Sequence, residues 1–219
     1  MSDVDAILKA SDAAWDGSGA VMALLIGNHD VTRFASESAG NAGGDGWATV
    51  LQPADPLVYK KQQMALGVVM TLPGAPVVYY GDELGLAGSS DPDSRRVMPA
   101  EASLRPEQVA TRATARTLGR ARGCSESLRR GTYRMLFSDD ERLIYAREAP
   151  GAATAVVIVS RNPEADAAVP LPGIPAEIYT NVLTGAHASL SPELTKLGRA
   201  PFSVQLFLPA ASPCASAPP

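Results

Sequence analysis

Four side chains able to grip a polar, uncharged, hydroxyl-rich ligand crowd into six positions: Asn28, His29, Asp30 and Arg33. They follow Gly27 and a purely apolar run, Val21 to Ile26. An apolar run of that length ending in glycine and polar residues predicts a buried strand whose carboxyl end opens into a site. The plainer alternative is a capped strand-to-helix loop, with Asp30 as N-cap and Arg33 as its ion-pair partner. A second set, Asp91 and Arg95, stands in the polar loop Ser89 to Arg96. Asp82 and Glu83 offer a third, but neighbours on a strand point to opposite faces and cannot flank one bond, so a structural role is expected there.

The elements that must carry these residues alternate. Residues 5 to 16 predict a short helix with Ile7, Leu8 and Trp15 on its apolar side, ended by Gly17-Ser18-Gly19. The stretch Ser36 to Thr49 is too long for a routine connection and too polar for a core, which predicts a functional surface loop. From Leu57 to Leu72, apolar residues recur at three- and four-residue spacings, the mark of an amphipathic helix stopped by Pro73-Gly74. Ala75 to Tyr80 then predicts a second buried strand, with Pro76 at its start where no ladder donor is lost. Strand, helix, strand is a βαβ unit, so both strands are parallel and deliver their polar ends to one side of a sheet. Tyr79 and Tyr80 are expected to pack in the core at that end. A further helix enters through Pro106-Glu107 and runs to about Arg122.

Beyond Leu128 the texture changes. Short strand-like runs at 133–137, 143–147, 153–160, 177–179 and 202–208 are separated by turn signals such as Asp139-Asp140, Pro150-Gly151, Asn162-Pro163 and Pro172-Gly173. That pattern predicts an antiparallel sandwich, and the Ala/Pro/Ser tail from Pro209 onward is expected to be unstructured.

Among the 219 residues, 46% are hydrophobic and 19% charged, so the chain can bury a core and is not globally disordered. The net charge of −4, without a Lys/Arg face, argues against nucleic acid as a partner, and Arg112 to Arg130 reads as the polar side of a helix and a loop. No apolar run has the length of a membrane span. The acidic start, Met1-Ser2-Asp3-Val4-Asp5, carries no secretory pattern; cytoplasmic residence and a piece of a longer secreted chain both fit, so location stays open. Cys124 and Cys214 match no metal spacing and are read as two free thiols, with pairing the alternative in an oxidising compartment.

Three segments resemble one family. Ile26 to Phe34 resembles the Asn-His-Asp segment at the end of the seventh barrel strand of the α-amylase superfamily. Leu72 to Leu86 is similar to its eighth strand and exit, and Asp91 to Pro99 to the following loop in neopullulanase-like and cyclomaltodextrinase-like members. The resemblance spans about residues 20 to 208. It implies an α/β fold followed by all-β: strands seven and eight of a (β/α)8 barrel with their helices over 1–125, an antiparallel β-sandwich over 126–209 and a tail over 210–219. It implies retaining cleavage of α-1,4 glucosidic bonds. Asp30 would stabilise the oxocarbenium-like transition state. His29 would hydrogen-bond the sugar at the cut, Asp91 and Arg95 would hold sugars further away, and Asn28 and Arg33 would complete the binding set.

The nucleophile and general acid of a retaining glycosidase lie on the family's fourth and fifth strands, and no segment here resembles those. A barrel needs eight strands and about 250 residues. The chain therefore resembles a C-terminal portion: a fragment, a truncated reading frame, or one piece completing a barrel with another chain. An α-glucan or maltooligosaccharide is the expected ligand, and a missing N-terminal barrel portion an expected partner. The loop at 91–95 favours short glucans or cyclodextrins over branched polymers. Calcium is common in the family, but its usual site lies on segments absent here, so no metal or other cofactor is assigned.

Overall fold

A computed structural model describes residues 3–41, 46–47, 49–162, 168–196 and 200–215. Helix α1 (Asp3–Trp15) opens with Asp3 and Asp5 in its first turn, where the helix dipole favours carboxylates. Strand β1 (Ala23–Leu24) leads to the single-turn helix α2 (Phe34–Ser38) and then to α3 (Pro56–Thr71). Asp55 caps α3 by accepting the Leu57 N–H at 2.8 Å, with Pro56 in the first turn where it lacks no needed donor. Strand β2 (Ala75–Pro76) pairs parallel with β1, Ala23 opposite Ala75 and Leu24 opposite Pro76. The ladder donors are the N–H groups of Ala75 and Val77, so Pro76 points its missing donor away from β1. Helices α4 (Pro106–Cys124) and α5 (Glu126–Arg130) follow.

The rest is β-rich. A six-stranded antiparallel sheet is ordered β3 (Thr132–Ser138), β4 (Arg142–Glu148), β5 (Ala155–Ser160), β10 (Ser203–Pro209), β7 (Glu177–Asn181), β8 (His187–Leu190). The second layer is the ribbon of β6 (Val169–Pro170) and β9 (Leu194–Thr195). Alternation divides the apolar residues between two cores. Leu143, Tyr145, Val157, Val159, Leu206 and Leu208 face the core shared with α3 and α4, while Ile144, Val156, Ile158 and Phe207 face the one under the ribbon. With both faces covered, continuous apolar runs such as 155–159 are fully buried.

The junction between helices and sheet is closely built. Gly67 of α3 lies so near β10 that a Cβ there would sit 2.5 Å from the Val204 side chain. Two buried guanidiniums bind the end of α3: Arg122 donates to the carbonyls of Met70, Leu72 and Gly74, and Arg147 of β4 to those of Thr71 and Gly131. Carbonyls left over at a helix end thus find partners from two other elements.

Three expectations need correction. The runs at 21–26 and 75–80 are not buried strands. Only two residues of each pair, and Val21, Met22, Leu25 and Val77 are 70%, 43%, 44% and 43% exposed, because each strand has a single strand neighbour among the described residues. Cys124 and Cys214 are not free thiols. The end of α4 and the segment after β10 converge at a Cα separation of 5.6 Å, and the two are joined in a disulfide. The tail is consequently ordered as far as the described residues reach, with Cys214 and Ala215 buried in the helix-side core. Residues 216–219 of that tail, Pro163 of the predicted turn, and 42–45 and 48 of the predicted loop lie outside the described residues. The start of that loop is α2 rather than irregular chain.

Candidate functional site

Asn28 shapes the turn that follows β1, its Oδ1 accepting the Asp30 N–H at 2.8 Å. The turn presents His29 and Asp30 outward, with side chains 51% and 64% exposed, and their imidazole Nε2 and carboxylate Oδ1 lie 3.2 Å apart. From the loop beyond β2, Arg95 reaches toward the same carboxylate at 3.8 Å and donates its Nε to Asp91 Oδ1 at 2.5 Å. Asp30, His29, Asp91 and Arg95 therefore form one open, charged cluster at the carboxyl ends of two parallel strands. That is where α/β folds place their sites. The cluster offers carboxylate oxygens, an imidazole and a guanidinium to solvent within reach of one ligand.

Arg33 is placed differently from expectation. Its side chain has no exposed surface, so it cannot touch a ligand. The guanidinium lies against both the Tyr79 and Tyr80 rings, 4.3 and 4.9 Å from their centroids. Its Nε donates to the Ser94 carbonyl at 2.9 Å and its Nη1 to the Tyr80 carbonyl at 2.5 Å. The capped-loop alternative fails as well. Arg33 itself occupies the N-cap position of α2, without a side-chain cap, and its ion-pair partner is Asp82 at 3.3 Å.

Asp82 and Glu83 sit in a 3-10 turn, not on a strand, because Gly81 and Gly85 take positive φ on either side. Glu83 accepts the Gly81 N–H at 2.8 Å. Burial pushes the Asp82 carboxyl up to about 6, against the lowering pull of Arg33. Tyr79 and Tyr80 are not simple core packing: Tyr80 is 40% exposed and its hydroxyl donates to the Arg96 carbonyl at 2.9 Å. Burial raises the Tyr79 phenol.

Asp93, which the sequence did not single out, organises the second loop. It accepts from Arg96 Nη2 at 2.6 Å, from the Ser89 N–H at 2.8 Å and from the Val50 N–H at 3.4 Å. Burial alone would raise this carboxyl; the Arg96 guanidinium and the two backbone donors outweigh it and hold it at about 2. Arg96 also donates to the Val50 carbonyl at 2.6 Å. A Cβ on Gly46 would lie 1.9 Å from the Asp91 carbonyl oxygen, so only glycine allows the two loops to touch. The three-residue spacing of Asp93 and Arg96 was the available signal. Among the described residues no group of three or more His, Cys, Asp or Glu side chains is placed to hold a metal ion, and no helix is long and apolar enough to cross a membrane.

A βαβ unit followed by an antiparallel sandwich fits the C-terminal portion of a (β/α)8-barrel protein. The family described as "Alpha amylase, catalytic domain" matches residues 2–128, and the chain belongs to that family. Similar proteins include a cyclomaltodextrinase of Geobacillus thermopakistaniensis, 27% identical over 84% of this chain and 28% of its own length. Neopullulanase 2 of Thermoactinomyces vulgaris is 30% identical over 74% of this chain and 25% of its own. The α-amylase of Geobacillus thermoleovorans, solved with acarbose, shares the fold at a TM-score of 0.73 and 21% identity, covering 93% of this chain and 42% of that one. The chain thus spans about a quarter of the length of these two curated relatives.

Proposed function

We propose that the cluster at 28–30 and 91–95 is the sugar-gripping part of the cleavage subsite of an α-amylase-type glycosidase acting on α-1,4 glucans. In this reading Asp30 is the third carboxylate of the catalytic set: it grips ring hydroxyls and its negative charge stabilises the oxocarbenium-like transition state. His29 donates to or accepts from the same sugar. The Asp91–Arg95 pair holds the neighbouring unit, and Asn28 shapes the turn. The observation that supports this most is the convergence of His29 and Arg95 on one Asp30 carboxylate from two separate strand ends.

The nucleophile and the general acid are not contributed by this chain, whose residues resemble only the seventh and eighth strand segments. Cleavage is a property of the whole protein, and the chain alone binds without cutting. A barrel-completing role is a second reading, favoured by the exposed Val21, Met22, Leu25 and Val77 beside a strand pair that has no further strand neighbour among the described residues. The name of the cyclomaltodextrinase relative favours cyclic maltodextrins as the substrate class. The purified chain is expected to be retarded on immobilised starch and to release no reducing ends from maltoheptaose. Asp30→Asn and Arg95→Ala should each abolish retardation. Cleavage by the chain alone, lost in Asp30→Asn, would overturn the non-cutting reading, and equal retardation of the wild type and both variants would overturn the site.

A further inference from the structure

Resting on that reading of the site, we propose that the buried Arg33–Asp82 pair is its positioning device, holding His29 and Asp30 at a fixed distance from Arg95. One guanidinium joins the three segments that carry the cluster. It starts on the loop after β1, donates to the Tyr80 carbonyl at the exit of β2, and donates to the Ser94 carbonyl beside Arg95. Ser94 answers by donating its hydroxyl to the His29 carbonyl at 2.8 Å. A shift of Arg33 therefore moves His29 and Arg95 relative to each other, although Arg33 touches no ligand.

Asp82 neutralises this cation with one oxygen. Its Oδ2 and the Arg33 Nη2 are both buried without a hydrogen-bond partner among the described residues, and Oδ2 lies 3.6 Å from where a Cβ on Gly27 would be. The pair is thus incompletely satisfied, and an unpaired polar atom in a buried site is costly. Protonating Asp82 removes the counter-charge and frees the guanidinium to shift toward its two carbonyls. The groups facing Asp82 are few. Arg33 lies opposite and Glu83 is adjacent, itself within the field of Arg112 on α4. The Tyr79 and Tyr80 rings both contact the guanidinium, and α3 presents the neutral Gln62, which donates to the Asp82 backbone carbonyl at 2.8 Å. The upward displacement of the Asp82 carboxyl to about 6 places the switch in an accessible pH range.

The experiment is a pH titration of the isotope-labelled chain from 4.5 to 7.5, following the Arg33 Nε–H and the backbone amides of His29, Ser94 and Arg95. The expected result is one shared inflexion near pH 6 at all four. It should persist in Asp30→Asn and vanish in Asp82→Asn, and Arg33→Lys should uncouple the Ser94 and His29 amides. Flat amides in the wild type, or an unchanged inflexion in Asp82→Asn, would overturn the proposal. Maltotriose affinity, measured in parallel, should change at least threefold across the same inflexion. A shared inflexion without any maltotriose binding would remove the sugar reading and leave the coupling standing. Maltotriose affinity constant through the inflexion would overturn the positioning role.

Discussion

The two runs Val21 to Ile26 and Ala155 to Ser160 are nearly indistinguishable as text, yet they meet opposite fates. Every residue of the second is buried, between β4 and β10 and with a core on each face. The first pairs through two residues with β2 and leaves Val21, Met22 and Leu25 exposed. An apolar run states what a strand requires and not what its neighbours supply; burial belongs to the pair. The comparison also separates the duties of the two regions. The sandwich and its junction hold stability, in dense packing, Arg122, Arg147 and the disulfide. The strand-end region instead gathers exposed charge, in Asp30, Asp91 and Arg95.

The sharpest way to break that division is at the disulfide. It closes 90 residues between α4 and the segment after β10, enclosing all the sandwich strands. Loop-closure entropy for a loop of that size amounts to about 4.6 kcal/mol. Cys124→Ser with Cys214→Ser should lower the urea unfolding free energy by about that amount and leave starch retardation of the folded chain intact. A loss below about 1 kcal/mol would show that the junction holds without the crosslink.

Asp82, buried beside Arg33, carries the next effect. Its carboxyl has a folded value near 6 and an ordinary value of 3.8. The folded state therefore binds this proton more tightly than the unfolded state does. Its contribution is fully present below about pH 4 and is lost as pH rises through 6, on the order of 3 kcal/mol in all. The expected measurement is unfolding free energy against pH, with Asp82→Asn flattening the curve between 4 and 6. An unchanged slope in that variant would assign the dependence to other groups.

Legibility followed the same divide. Asn28-His29-Asp30 and the Asp91–Arg95 loop could be read because both follow strand-like runs and their chemistry is local in sequence. The βαβ unit and the long sandwich strands could be read from period and turn residues. Arg33 could not, since its burial depends on Tyr80, Asp82 and Ser94, 47 to 61 positions away. Strands β6, β8 and β9 have too few apolar residues to signal themselves; Val169 and Thr195 pair because the larger sheet beneath offers a surface. The cysteines matched no motif, and only the return of the chain after β10 to the end of α4 brings them together.

The finest test substitutes one residue type in both regions. Val157 is fully buried between Tyr145 and Leu206 in the helix-side core, whereas Val21 is 70% exposed. Val157→Ala removes two buried methyl groups and leaves a cavity that β4 and β10 cannot close, a loss of about 2 kcal/mol. Val21→Ala should change stability by less than about 0.5 kcal/mol. If Val21 instead costs as much as Val157, the isolated chain buries its β1 run against something, and a second copy of the chain becomes the first candidate. Sedimentation of the two variants decides this, because a cost arising from self-association falls with dilution and a cost arising within one chain does not.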